Sequence, residues 1–149
     1  MTHDIFISYA SPNRAVAFAI CDSLERHGVR CWIAPRDIPP IQSWTGAIIR
    51  ALNNSKLVLL VFSSHANASH NVLREVEAAV RKRVPLLPLR IEACDFSEDM
   101  EYLLGVPQWF DAVEPPLEKH VPTLVDQVRA WLSQGGSASE RGGESAAVP

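Results

Sequence analysis

The stretch HNVLREVEAAV, residues 70–80, carries two carboxylates two residues apart, Glu75 and Glu77. Beside a ligand crevice a carboxylate can serve as a base or stabilise a developing cation; on a solvated helix face it does neither. At about 100° per residue, Val72, Leu73, Val76, Ala79 and Val80 fall on one helical face. Glu75 stands on one border of that stripe and Glu77 on the opposite one, so periodicity does not choose between them. Other reactive residue types are scattered. His65 and His70 share one polar stretch without a third ligand at metal-binding spacing, and read as surface histidines. Cys21, Cys31 and Cys94 form no CxxC pair, and each reads as a small core residue in a reducing compartment. No glycine-rich dinucleotide fingerprint, P-loop or GxSxG elbow occurs.

The elements that must position these groups alternate along the chain. DIFISY (Asp4–Tyr9) is a short buried strand ended by a turn. Asn13 is placed to cap a helix running to about His27, with Val16, Ala17, Ile20 and Leu24 inward and Gly28 closing it. VRCWI (Val29–Ile33) is a second strand. The proline-rich run Ala34–Trp44 is a stiffened loop, because three prolines fix φ and remove donors. A helix follows through Asn53, with Ile48, Ile49 and Leu52 inward. KLVLLVF (Lys56–Phe62) is continuously apolar, as a central parallel strand buried on both faces should be. SSHANASHN reads as a polar loop leading into a helix over about 71–82. Val84–Glu92 is a fourth strand whose two prolines argue for edge-like or irregular pairing. A short helix over 97–104, a fifth strand over 107–113 and a last helix over 117–133 complete the domain. The Gly/Ser-rich segment 134–149 is a flexible tail or linker that can join the domain to another.

Five strand–helix alternations predict an α/β fold: a flavodoxin-like, open, parallel five-stranded sheet of order 2-1-3-4-5, with helices on both faces. Ligands of such sheets lie beyond the strand C-termini, at the switch point between strands 1 and 3. That axial position favours Glu75, about one turn into its helix, over Glu77. A phosphoacceptor use of the same architecture needs acidic residues where strand 1 ends in Ser8-Tyr9 and strand 3 in Phe62-Ser63, so it is disfavoured. The net charge of −3 carries no nucleic-acid footprint. Arg81, Lys82 and Arg83 read as a positive helix end that complements the macrodipole. Without a secretory leader or a membrane-length apolar run, the expected location is the cytoplasm.

DIFISYAS, RDIPP with Trp44, SKLVLLVFSSHANAS and LREVEAA, in this order and spacing, resemble a TIR domain of the bacterial kind. The similarity covers about residues 3–133. The resemblance implies the fold already argued and, for many members, cleavage of NAD+ at the nicotinamide–ribose bond. Other members are adaptors that act only by TIR–TIR association, as signalling scaffolds or host-mimicking effectors. The catalytic glutamate of the family follows the third strand in a pattern like S-x-W-V-x-x-E, and SHNVLRE places it at Glu75. NAD+ would be substrate rather than cofactor, and no metal is implied.

Because nicotinamide leaves as a neutral amide from an already cationic ring, no general acid is needed. One carboxylate suffices to stabilise an oxocarbenium-like transition state. The resemblance also implies that Tyr9, Ala10 and Ser11 flank the nucleotide, although Tyr9 is equally placed as a core aromatic. Arg36–Trp44 matches a loop that mediates association with other TIR domains. Within it, Arg36 can meet pyrophosphate, Asp37 or a partner domain, and Trp44 is expected to pack under the loop. Two positions depart from the family pattern: Ile41 replaces a glycine in the loop, and Asn71 replaces a tryptophan that favours cyclic products in some members. The expected setting is a bacterial defence or cell-death protein with a C-terminal sensor domain.

Overall fold

The computed structural model describes residues 3–105 and 108–135. Its strands are β1 (Ile5–Ser8), β2 (Cys31–Trp32), β3 (Leu57–Phe62), β4 (Leu86–Arg90) and β5 (Phe110–Asp111). Its helices are α1 (Arg14–Arg26), α2 (Trp44–Asn53), α3 (Ser64–Asn67), α4 (His70–Arg81), α5 (Glu98–Leu104) and α6 (Val121–Ser133). The sheet is parallel throughout, in the order β2-β1-β3-β4-β5. This is the flavodoxin-like arrangement that the strand–helix alternation predicts. The segment expected to be a tail lies outside the described residues beyond Gly135, as does the first residue of the expected fifth strand, Pro107. No helix among the described residues is long and apolar enough to cross a membrane.

Alternation along the strands divides the core between two faces. Ile5, Ile7, Leu57, Leu59 and Val61 pack against Ala17, Ile20 and Leu24 of α1 and Leu124, Val125 and Val128 of α6. Phe6 and Val58 turn the other way, onto Ala51 and Leu52 of α2 and Ala78 and Ala79 of α4. Leu60 and Phe62 continue that face under Val72 and Val76 of α4 and Met100 of α5. All six residues of β3 are buried, as expected of a central strand.

Serine side chains start four of the helices. Ser43, Ser63, Ser69 and Ser97 accept from the backbone N–H of Gly46, Ala66, Val72 and Met100. Each satisfies a donor that the first helical turn leaves free. Two of these caps explain why the segment after β3, read as loop, instead folds into the single turn of α3 before α4. Asn13 does not cap α1. Its Oδ1 accepts from the Ser63 hydroxyl at 2.6 Å, and a 3₁₀ turn over Ser11–Asn13 leads into the helix. The last helix likewise opens as a 3₁₀ turn, Leu117–Lys119, before α6. Gly28 ends α1 with φ of +87°, the left-handed conformation expected of it.

The edge-like reading of the fourth strand is corrected: β4 lies between β3 and β5. The backbone shows why its proline is tolerated. Val58 N–H donates to the Pro85 carbonyl and Ile91 N–H to that of Phe62, so odd-numbered residues of β4 bond toward β3. Ala112 N–H donates to the Arg90 carbonyl, so even-numbered residues face β5. Pro88 therefore turns its donorless nitrogen toward β5, whose pairing begins only opposite Leu89.

At the far end of the sheet Asp4 joins three strands. Its carboxylate accepts from the Arg30 backbone N–H at 3.0 Å and pairs with Arg30 and Lys56. Burial works to raise its pKa, but these bonds outweigh it and hold the carboxyl below its ordinary value. Both cationic side chains are half exposed, so solvent screens the ion pairs and the backbone bond dominates. Asp4→Ala, which removes the acceptor, should therefore destabilise the domain by about 1–2 kcal/mol in urea unfolding at neutral pH. In the wild type this contribution is present above the ordinary carboxylate range and is lost as pH falls through the depressed value.

Candidate functional site

β1 ends in Ser8, a hydroxyl with no exposed surface at the switch point between β1 and β3. A buried hydroxyl needs a partner. Ser8 Oγ donates to Glu75 Oε1 at 2.7 Å, across 67 residues of sequence. The helical phase that places Val72, Val76 and Ala79 in the core carries Glu75 to the side facing the end of β1. Glu75 keeps some surface toward the cleft, yet its carboxyl lies deep among protein atoms. Burial pushes its pKa up to about 7 from an ordinary 4.5, against the lowering effect of the Ser8 hydrogen bond. Near neutrality this carboxyl exists in both protonation states, the poise expected of a working acid–base or electrostatic group. Glu77 is exposed and reaches only the cleft wall.

Glu75 opens into a cleft of about 510 Å³ between α2 and α4, a size typical of small-molecule sites. Phe6, stacked on Trp32 at 5.1 Å between ring centroids, contributes to its floor. Ala34 and Pro35 close one end, and Trp44, Ile48 and Leu52 form the α2 wall. Arg74 and Arg81 line the α4 side and Arg14 reaches in from α1. Among the described residues none of these three arginines takes part in an ion pair. A buried carboxylate, an apolar and aromatic wall, and three guanidiniums without ion-pair partners suit an elongated ligand that is cationic at one end and anionic further along.

The sequence-predicted residues divide into two groups. Tyr9, Ser11, Trp44, Asn71 and Glu75 all line this cleft. Tyr9 lines the cleft and is also packed as a core aromatic. Its ring packs edge-on against Phe18, and its hydroxyl donates to the Ala34 carbonyl at 2.5 Å, tying the end of β1 to the loop. Trp44 is corrected. Instead of packing under the loop it is 59% exposed, because α2 begins at Trp44 itself and carries the side chain past the covered stripe of Ala47 and Ala51. Ala10 is buried at the start of the 3₁₀ turn, outside the cleft lining. Arg36 is also elsewhere. It pairs with Asp37 at 2.7 Å and with both carboxylate oxygens of Glu25 at 2.9 Å. The sequence reading missed Ser8, Arg14, Arg74 and Arg81 as site residues. A serine closing the apolar run IFIS was the available signal for the first. The arginines carry no local signature.

The raised pKa has a consequence for stability. A carboxyl whose folded pKa exceeds its unfolded one favours the fold fully only below the unfolded value, and the advantage disappears as pH rises through about 7. Glu75→Gln keeps the shape without the ionisation. It should raise the unfolding free energy at pH 8 by up to about 3 kcal/mol and change it little at pH 5, measured by urea denaturation at both values.

Comparisons with known proteins agree with this fold. The family model described as TIR domain matches residues 5–125. The TIR domain of the Toll-related receptor TRR-2 from Hydra magnipapillata superposes with a TM-score of 0.73 at 20% identity, covering 86% of this chain and 99% of that one. TIR domains of the activated Roq1 resistosome, which directly recognises the pathogen effector XopQ, give a TM-score of 0.71 at 11% identity, covering 85% and 99%. A metazoan TIR-STING receptor from C. gigas gives 0.63 at 24% identity; the match covers 85% of this chain but only 40% of the receptor. No curated protein matches the sequence. These structural likenesses show the fold, and the family match over most of the sheet and its helices supplies the membership: the chain belongs to the TIR domain family.

Proposed function

We propose that the domain is an NAD+ nucleoside hydrolase that cleaves the nicotinamide–ribose bond. The observation carrying this reading is the buried Glu75 carboxyl, held by Ser8 in a cleft that is also lined by aromatic side chains and three arginines. In its ionised form Glu75 faces the nicotinamide ribose. As the bond to the cationic ring lengthens, positive charge passes to the sugar, and the carboxylate stabilises it in a site where water no longer screens the field. Nicotinamide departs neutral, so no proton donor is required. The same carboxylate orients the water that attacks the ribose carbon and accepts the proton that water loses. Ser8 fixes the rotamer of Glu75, Trp44 offers an aromatic surface, and Arg14, Arg74 and Arg81 meet the diphosphate.

TIR domains generally associate with one another. In this chain the loop Arg36–Trp44 presents Ile41, 95% exposed, where the family usually has a glycine. We assign the loop to homotypic assembly that activates the enzyme, in a cytoplasmic bacterial defence or cell-death protein whose further domain senses the trigger. A second reading, a non-catalytic TIR scaffold, draws on Asn71, which leaves the cleft mouth without the family's aromatic ring.

Nicotinamide release separates the two. Domains clustered on a surface or by a fused oligomer should release nicotinamide from NAD+, and Glu75→Ala should reduce the rate by roughly 100- to 1,000-fold. Glu77→Ala should retain substantial activity. Release by clustered wild type no greater than by Glu75→Ala would leave the scaffold reading standing. Because the free enzyme must carry ionised Glu75, kcat/KM should rise with pH and level off above about 7. With Asn71 at the cleft mouth, chromatography of the products should show linear ADP-ribose as the main nucleotide.

A further inference from the structure

On the opposite side of β2 from the cleft, the turn through Gly28 folds the end of α1 back against the strand and brings two cysteines together. The sulfurs of Cys21 and Cys31 and a carboxylate oxygen of Glu25 all lie within 4.8 Å of one another. Both cysteines are buried, at 1% and 8% exposure. Arg36 reaches in from the loop, with Nη1 3.7 Å from Cys21 Sγ and Nη2 donating to the Cys31 carbonyl at 3.1 Å. Two thiols and a carboxylate so placed are ligands for a thiophilic cation. Here the guanidinium already holds both oxygens of Glu25 and stands against Cys21, so positive charge fills that position. A cation is disfavoured, and a thiolate is favoured.

The surroundings distinguish the two sulfurs. The neighbouring Cys31 thiol is the largest influence on Cys21, and with the Arg36 guanidinium 3.7 Å away it holds that thiol below the ordinary range. Burial opposes this, as do the carboxylates of Glu25 and Asp37. Cys31, whose thiol donates to the Val29 carbonyl at 3.7 Å, is pushed up by the neighbouring Cys21 thiol and by its own burial. Cys31 and Glu25 also edge a depression of about 750 Å³ beside β2, and Cys21 Sγ lies behind them, within 4.8 Å of both and not on the depression's surface. At Cys94 burial and the Glu92 carboxylate raise the thiol, and the Arg90 guanidinium only partly offsets them.

We propose that Cys21 and Cys31 are an oxidative modification site for peroxides, in which Cys21 attacks and Cys31 resolves. The Cys21 thiolate forms a bond to one peroxide oxygen as the O–O bond breaks, and the departing hydroxide is protonated to water. The Cys31 sulfur then attacks the sulfenic sulfur of Cys21. An S–S bond forms, the S–O bond breaks, and the leaving hydroxide takes the Cys31 proton. Two thiols and one peroxide become one disulfide and two waters. The disulfide ties α1 to β2 directly behind the anchor of the Arg36–Trp44 loop, and a dithiol reductant reverses it.

The test uses the wild-type chain, reduced and then treated with substoichiometric hydrogen peroxide, alkylated after unfolding and mapped by peptide mass. The expected product joins the Cys21 and Cys31 peptides by a disulfide and leaves Cys94 alkylated. Loss of Cys94 first, or full alkylation of Cys21 and Cys31 after the peroxide is consumed, overturns the proposal. Arg36→Gln supplies the second measurement. Oxidation should slow several-fold and its pH midpoint should rise, a shift that a merely structural role of Arg36 would not produce. An unchanged rate and midpoint would remove Arg36 and the Cys21 thiolate from the chemistry.

Discussion

A strand with no polar face has to be covered everywhere. The six residues of β3 are buried on both sides and paired at both edges, and the rest of the domain follows from that demand. Covering both faces requires helices above and below, and parallel pairing on both edges requires crossover connections. The strand order then places the C-terminal ends of β1 and β3 together with no helix crossing over them. The site forms there because the main apolar strand of the chain stops at Ser63, where a serine cap begins the next helical segment.

The polar pair at that point works against the fold. Ser8 and Glu75 sit among residues such as Phe6, Ile7 and Val76, where a carboxylate is costly. One hydrogen bond offsets part of the desolvation, and the remainder appears as the raised pKa. Among the described residues no cationic side chain pairs with Glu75. The nearby arginines line the cleft instead, where they are available to an incoming anion. The arrangement is therefore incomplete by itself: negative charge in one region and positive charge in another, separated by an aromatic and aliphatic wall.

How much of this is legible in the sequence depends on how far apart the partners are. Local patterns carry well: the apolar run of β3, Gly28 at the end of α1, and Val72, Val76 and Ala79 of the α4 stripe behave as their spacing requires, although Val80 of the same stripe is exposed. The strand order follows from the alternation and the handedness of crossovers. Pro88 misleads because a proline is judged without knowing which neighbour its nitrogen faces. Asn13 and Trp44 mislead for a related reason. A cap and a buried aromatic are local expectations, and each was overridden by tertiary geometry, through Ser63 for Asn13 and through the start of α2 for Trp44. Ser8 and Arg36 mark where pattern reading ends. Their partners Glu75 and Glu25 lie 67 and 11 residues away, and only the folded chain reveals the pairing.

A carboxyl poised near pH 7 inside a cleft also makes that cleft a proton-exchanging device. Any cation that docks against Glu75 lowers its pKa, so docking expels a fraction of a proton into the medium. By linkage, the affinity for such a cation must then increase with pH until Glu75 is ionised in the empty cleft, and it becomes independent of pH beyond that point. The apparent enthalpy of docking will accordingly differ between buffers of different ionisation heat, even when the contacts made in the cleft are the same.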